Sequence, residues 1–245
     1  MSTPRFYIDL PLAVGSVREL PRTTTQHALR ALRMRQGDAL TLFDGRGGEY
    51  AAQLVVAREP NAAAEIVGFD PREAELPWPI TVGQGLSSGD KMGWTVEKAV
   101  ELGAAAIQPL AMARCATRLS SERAETRRAH WQALAIAASE QCGRNRVATV
   151  GPVMQLRDWL VQVPPGAIKL MLAPLADTPL FALDAPAPGR QVALLIGPEG
   201  GFAEDEDSAA RAAGFVAISL GQRVLRTETA AAAALAMLAA HWRAM

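Results

Sequence analysis

Cysteine is nearly absent, with only Cys115 and Cys142 in 245 residues, far apart and in no C-x-x-C pair. A disulfide scaffold is thereby excluded and no zinc-binding set is offered, which leaves two buried thiols as the plain reading and no metal as the expectation. Long apolar runs are also missing. No stretch approaches the ~20 residues that span a bilayer, and the start MSTPRFYIDL has neither a basic n-region nor an apolar h-region, so no membrane and a cytoplasmic location are expected. Net charge is missing as well. The 25 basic and 25 acidic residues cancel, which argues against a protein that grips free nucleic acid by bulk electrostatics. What remains, at 49% hydrophobic and 20% charged, is a globular chain long enough for one or two domains.

The cancelling charges are segregated along the chain. Arg18 to Arg35 holds five arginines (Arg18, Arg22, Arg30, Arg33, Arg35) and one acid, Glu19. Arg114 to Arg146 holds seven (Arg114, Arg118, Arg123, Arg127, Arg128, Arg144, Arg146) against Glu122, Glu125 and Glu140, while Asp177 to Asp207 holds seven acids against Arg190. A neutral protein can therefore carry basic faces, although solvated helix surfaces account for many such arginines.

The amino-terminal part reads as a small β-rich domain. Arg5 to Leu10, Asp38 to Phe43, Glu49 to Val56 and Ala62 to Phe69 are strand candidates, with a hairpin loop over Asp44-Gly45-Arg46-Gly47-Gly48. A helix with a threonine cap is predicted over Thr24 to Met34. The result is a partly closed small barrel, a plausible RNA-binding module on a fold that hosts many functions. Asp70 to Pro79, with three prolines and four charges in ten residues, continues neither sheet nor helix and marks the domain boundary, giving residues 1–72 and 73–245.

From residue 80 onward strands alternate with helices, which predicts an α/β domain with a mainly parallel sheet. Strands are expected at Ile80 to Gln84, Ala105 to Leu110, Lys169 to Ala173, Val192 to Ile196 and Phe215 to Leu220. Helices are expected at Met92 to Leu102, from Ser121 to the region of Gly143, at Pro152 to Val161, and after Thr227. Gly83-Gln84-Gly85-Leu86-Ser87-Ser88-Gly89 has one residue too many for a dinucleotide fingerprint, and Lys91 lacks the preceding glycine of a P-loop, so a plain strand-to-helix turn is preferred. Arg144-Asn145-Arg146 follows the long helix as a loop with exposed side chains, which suits binding.

Two loops concentrate the chemistry. Gly197-Pro198-Glu199-Gly200-Gly201 follows one strand, and its two terminal glycines can take positive φ and let a ligand approach the backbone. Glu204, Asp205, Glu206 and Asp207 complement the dipole of the next helix and make its start a poor phosphate cradle. Glu199 lies between turn residues and is either a substrate contact or a loop brace. In the second loop, Arg223 and Arg226 bracket Val224-Leu225, offering backbone groups and an apolar slot suited to a flat heteroaromatic ring. Thr227 is placed to cap the alanine-rich helix behind it.

Four motifs carry a resemblance. They are Leu195-Ile196-Gly197-Pro198-Glu199-Gly200-Gly201, Leu220-Gly221-Gln222-Arg223-Val224-Leu225-Arg226-Thr227-Glu228-Thr229-Ala230, Glu140-Gln141-Cys142-Gly143-Arg144-Asn145-Arg146 and Glu97-Lys98-Ala99-Val100-Glu101-Leu102-Gly103. Together they resemble the RsmE family of the SPOUT superfamily, the 16S rRNA (uracil-N3)-methyltransferases. The resemblance implies a carboxy-terminal SPOUT domain with a trefoil knot, an amino-terminal PUA-like β-barrel, and a homodimer that completes each site. It implies S-adenosyl-L-methionine held by three loops, here by Leu172, Pro174, Gly197, Pro198, Gly201, Leu220, Gly221, Leu225, Thr227 and Thr229. Arg5, Arg22, Arg30, Arg33, Arg35, Arg46, Arg144 and Arg146 are the corresponding candidates for contacts to 16S rRNA in the small ribosomal subunit.

Methylation at uridine N3 requires the imide proton to leave, and positive charge stabilises the resulting anion. Arg144, Arg146 and Arg226 are candidates for holding phosphate or that anion, and Glu199, Glu228 or water for taking the proton. The alternatives are a relative that methylates another RNA atom, such as a ribose 2′-oxygen, and a non-catalytic ribosome-assembly factor.

Overall fold

The computed structural model describes residues 3–117 and 119–244, so Arg118 of the basic stretch lies outside the described residues. The chain divides into two compact units. The first comprises Met1–Glu75 with Ser139–Val147, the second Leu76–Ala138 with Ala148–Met245. The segment that carries Arg144 and Arg146 thus counts with the amino-terminal unit rather than with the domain to which its sequence position assigned it.

In the first unit, strands β1 (Arg5–Tyr7), β2 (Val17–Glu19), β3 (Ala39–Phe43), β4 (Glu49–Val56) and β5 (Ala63–Asp70) form one sheet in the order β1-β3-β4-β5-β2. Only β1 and β3 run parallel. Alternation sets the inner face. Leu40 pairs with Ala52, Ala52 with Ile66 and Leu54 with Ala64, all buried on one side. Phe6, Ile8 and Leu42 join them in the core, and each such side chain contributes about 1.5–3 kcal/mol when fully buried. Register shifts between Ala51 and Ala52 and between Leu54 and Val56 bend the long β4–β5 pair.

The helix expected over Thr24–Met34 begins earlier and is shorter: α1 is Arg22–Gln26, continued by a π-helical turn at His27–Ala31. Its cap position is Pro21, with no side-chain cap bond, because a proline with φ −51° already presets the first turn. The buried Thr25 hydroxyl donates instead to the Leu20 carbonyl at 3.2 Å.

The second unit runs β6 (Ile80–Gly85), α2 (Lys91–Glu101), β7 (Ala104–Ala111), α3 (Ser121–Cys142), β8 (Thr149–Val150), β9 (Met154–Gln155), α4 (Leu156–Gln162), β10 (Ile168–Leu172), β11 (Val192–Ile196), α5 (Glu204–Ala212), β12 (Val216–Ile218) and α6 (Thr227–His241). The residues of α3 after Ala138 count with the first unit. Gly143, at φ +83°, ends that helix as its sequence suggests. A 3₁₀ turn at Leu180–Ala182 interrupts the loop between β10 and β11. The helix expected from Pro152 starts later, because Met154–Gln155 first pair with β7.

All pairings in this second sheet are parallel, in the order β12-β10-β11-β6-β7-β8, with β9 also on β7. Every residue of β11 is buried, the pattern of a parallel strand covered on both faces. In α6, Ala231, Ala234, Leu235 and Leu238 recur at helical spacing and are buried. From β6 the chain first builds outward through β7 and β8, then crosses to the other side for β11, β10 and β12. That reversal places the carboxyl ends of β10, β11 and β12 around a crevice of the kind open α/β sheets use for ligands.

Among the described residues no helix is long and apolar enough to cross a membrane, and no group of three His, Cys, Asp or Glu is placed to hold a metal ion. Both thiols are free and only half-buried, against the expectation of full burial. Burial pushes the Cys115 thiol pKa up.

Candidate active site

A cavity of about 870 Å³ opens at those strand ends, lined by residues drawn from 172–174, 196–204 and 218–227, together with Lys91, Asp207 and Ala230. Leu172, Pro174, Gly197, Pro198, Gly201, Leu220, Gly221, Leu225 and Thr227 line it, and so do Glu199 and Arg226. Thr229 is exposed and is not among the lining residues. Glu228 is not among them either, and its Oε2 is buried with no hydrogen-bond partner among the described residues.

Local chemistry explains how the two loops are held. Thr227 is the first residue of α6 rather than its cap; Arg226 occupies the cap position and makes no side-chain bond there. The Thr227 hydroxyl is used for tertiary contact instead, donating to the Gly197 carbonyl at 2.6 Å and accepting from Gln84 Nε2 at 2.8 Å. Gln84 is fully buried at the end of β6. One hydroxyl therefore ties β6, the loop after β11 and the start of α6 together.

Two glycines in this region answer to specific demands. A Cβ on Gly85 would lie 2.6 Å from Pro198 Cδ and from Pro198 N, so only glycine lets the proline turn rest on β6. Gly201 has φ +69°, whereas Gly197 does not take a positive φ, against the expectation for both terminal glycines of the turn.

Glu199 is braced from α2 and the turn before it. Its Oε1 accepts from Lys91 Nζ at 2.9 Å, from the Ser88 hydroxyl at 2.9 Å and from the Ser88 backbone N–H at 3.1 Å. Partial burial pushes its carboxyl pKa up, but the Lys91 ammonium, its own backbone N–H and the Ser88 donors outweigh that and hold it down at about 2. Lys91 and Ser88 escape a sequence reading because Glu199 is 108 and 111 positions away.

Among the four acids at the start of α5, Glu206 is buried and accepts from the backbone N–H of Ala203 at 3.0 Å and of Ala113 at 2.7 Å. Glu204 and Asp207 line the cavity with Glu199, and so do Lys91, Arg223 and Arg226. Ile196, Ile218, Leu220 and Leu225 supply an apolar lining. Carboxylates beside an apolar slot suit a ligand that carries positive charge and a flat ring, and do not suit a phosphate.

In the first unit the arginines divide into two kinds. Arg144 is 3% exposed and forms an ion pair with Glu75, its Nε donating to Oε1 at 3.0 Å. Asn145 is fully buried, donating to the Arg72 carbonyl at 2.7 Å and accepting from Arg5 Nη2 at 2.7 Å. The expectation of exposed side chains at Arg144 and Asn145 is thus corrected. The physical reason is that acids and carbonyls distant in sequence satisfy these groups inside the unit. Arg5 is likewise engaged, by Glu49, by the carbonyl of Arg144 and by the Phe43 ring 5.1 Å from its guanidinium carbon. Arg22, Arg30, Arg33, Arg35, Arg46 and Arg146 are exposed, Arg30 in a surface pair with Glu59 and Arg146 with its Nε 3.5 Å from Glu73. Half-buried Glu140 accepts from the Tyr7 backbone N–H at 2.9 Å, and desolvation pushes its pKa up.

Comparison with known proteins agrees with this architecture. Residues 74–239 match a family described as an RNA methyltransferase domain, and residues 20–67 one described as an RNA methyltransferase PUA domain. The ribosomal RNA small subunit methyltransferase E of Buchnera aphidicola is 30% identical over 96% of this chain and 95% of its own. The crystal structure of a ribosomal RNA small subunit methyltransferase E from Neisseria gonorrhoeae bound to S-adenosyl methionine is 41% identical, with a TM-score of 0.92 over 98% of both chains. A Legionella pneumophila protein in complex with the bound cofactor SAM is 35% identical, again with a TM-score of 0.92 over 98% of both chains.

Proposed function

The chain belongs to the ribosomal RNA small subunit methyltransferase E family, and from that premise we propose that it methylates N3 of a uridine in 16S rRNA of the small ribosomal subunit, using S-adenosylmethionine. The observation that carries the reading is the cavity at the ends of β10, β11 and β12, built from three loops and fastened by Thr227. Its carboxylates and apolar slot fit a cofactor that combines a cationic sulfonium with an adenine ring. The cofactor supplies an electrophilic methyl group.

The residues of the chain supply the rest. Leu172, Pro174, Gly197, Pro198, Gly201, Leu220, Gly221, Leu225 and Thr227 would hold the cofactor, and the loops would thread as the trefoil knot that the family resemblance implies. The N3 proton must leave before N3 can accept a methyl group. Glu199 is a poor base for it, since a carboxylate held at about 2 and already engaged by Lys91 and Ser88 has little proton affinity near neutral pH. Glu199 therefore braces the loop, and the N3 proton passes to hydroxide from solvent. Arg226 and Arg223, exposed on the cavity lining, would stabilise the uracil anion. Arg144, buried against Glu75, acts by fixing the backbone that presents Arg146 and not by touching phosphate itself.

The same reading makes the protein a cytoplasmic homodimer. Leu175 at 94% exposure and Val224 at 76% are apolar residues whose cover a second copy would supply. Calorimetry with S-adenosylmethionine tests the cofactor assignment. Saturable one-site binding is expected, and an absence of heat at millimolar cofactor would rule the assignment out.

A further inference from the structure

Outside the cavity, one surface feature of the first unit is built like a site. Gly47 and Gly48 at the tip of the β3–β4 hairpin both have positive φ, +111° and +68°. Each also lies under a side chain from elsewhere in the unit. A Cβ on Gly48 would lie 2.5 Å from the Phe69 ring and 2.9 Å from the Asp70 carbonyl; one on Gly47 would lie 2.7 Å from Arg146 Nη2 and 2.2 Å from Glu73 Oε1. An aromatic ring and a guanidinium thus each rest on one of two adjacent residues of bare backbone.

Both groups are pre-positioned and accessible. The Phe69 ring is 50% exposed yet fixed from one side by Tyr50, with ring centroids 4.9 Å apart. Arg146 is 56% exposed, with its Nε 3.5 Å from the Glu73 carboxylate. Glu73 is itself anchored, since its Oε1 accepts the Gly48 N–H at 3.0 Å. Arg46 on the same hairpin is exposed as well, whereas Arg72 is paired with Glu49 and donates to the Gly143 carbonyl at 3.2 Å. A half-exposed phenyl ring gains nothing for folding from its solvent-facing side. Next to a guanidinium it matches the stacking surface and phosphate partner by which proteins hold an unpaired nucleotide.

We propose that Phe69 and Arg146, seated on Gly48 and Gly47, form a subsite for one unpaired nucleotide of the RNA, with the base on the ring and its phosphate on the guanidinium. The proposal rests on the RNA-modifying reading above and adds to it residues of the first unit that grip the strand. Belonging to the first unit and sharing no residue with the cavity lining, the subsite governs substrate affinity and not the chemical step.

The test is titration of the full chain with a single-stranded uridine-rich RNA oligonucleotide, alongside steady-state methyl transfer to small subunits. Phe69→Leu should weaken oligonucleotide binding about 5- to 150-fold, the span that loss of one base–aromatic stack produces, and Phe69→Tyr should restore it. Arg146→Gln should weaken binding and reduce the slope of log affinity against log salt by about one. In methyl transfer both variants should raise KM and leave kcat unchanged. Unchanged oligonucleotide affinity in a Phe69→Leu protein that melts like the wild type would overturn the subsite, and so would a fall in kcat with KM unchanged. The oligonucleotide result stands by itself, so wild-type protein that binds RNA through Phe69 but transfers no methyl group would overturn the enzymatic reading and leave the subsite in place.

Discussion

The Thr227 hydroxyl donates to the Gly197 carbonyl across 2.6 Å, joining the first residue of α6 to a loop residue 30 positions earlier in the chain. Because the same oxygen accepts from Gln84, one side chain fixes the start of α6 against two neighbouring strand ends. Thr227→Val keeps the shape and removes both bonds, taking the hydroxyl donor from the Gly197 carbonyl and leaving the buried Gln84 Nε2 with only the Gly85 carbonyl. The expected cost is about 2–3 kcal/mol, seen as a melting point lower by roughly 4–12 °C for a chain of this size. Cofactor affinity by calorimetry should fall at least about tenfold, as loss of ~1.4 kcal/mol implies. Thr227→Ser, which keeps the hydroxyl, should retain most of both.

The Lys91–Glu199 pair has a defined pH signature. The folded carboxyl titrates at about 2 against a usual 4.5, so its stabilisation is fully present above pH 4.5 and is lost as pH falls through 2. Glu199→Gln should lower the melting point by about 2–4 °C at neutral pH, as suits a partly exposed pair worth up to ~1 kcal/mol, and by progressively less below pH 4.5. Because Glu199 does not titrate near neutrality, the kcat–pH profile of the variant should keep the shape of the wild type between pH 6 and 9. Disappearance of an ionisation from that profile would make Glu199 the base after all.

Gly85→Ala drives a methyl group into Pro198, 2.6 Å from its ring and nitrogen. Backbone and a rigid ring give way poorly, so overpacking should cost about 1–3 kcal/mol. Displacement of the proline turn should also abolish measurable cofactor binding. A Gly85→Ala protein with wild-type affinity would show that the loop is not held by this contact.

Arg144 and Glu75 make a testable buried pair in the first unit, since the arginine is only 3% exposed. Removing one partner leaves a charge without its counter-ion, so Arg144→Met should cost about 3 kcal/mol or more. Replacing both, as Arg144→Met with Glu75→Leu, should recover much of that loss in thermal denaturation. If Arg144 instead contacts RNA directly, the double variant will fold well and still bind RNA with its full electrostatic deficit.

What the sequence makes legible follows physical range. Val192–Ile196 is readable because five consecutive apolar residues bounded by a glycine turn admit few structures, and it is a strand with those limits. The end of α3 is readable because Gly143 can adopt φ +83° without strain. β2, at three residues, is too short for alternation to register. The burial of Arg144 is invisible locally, since Glu75 lies 69 positions earlier, and a basic loop motif reads as exposed until its partner is placed. Thr227 shows the same limit. Its position and type suit a cap, and only the fold brings the Gly197 carbonyl close enough to claim the hydroxyl.

The most direct test of the central claim is transfer of a labelled methyl group from S-adenosylmethionine to small ribosomal subunits from a strain lacking this protein, followed by digestion to nucleosides. The account predicts label in a single nucleoside, uridine methylated at N3. Label on a ribose 2′-oxygen, or no incorporation by protein shown to bind the cofactor, would contradict it.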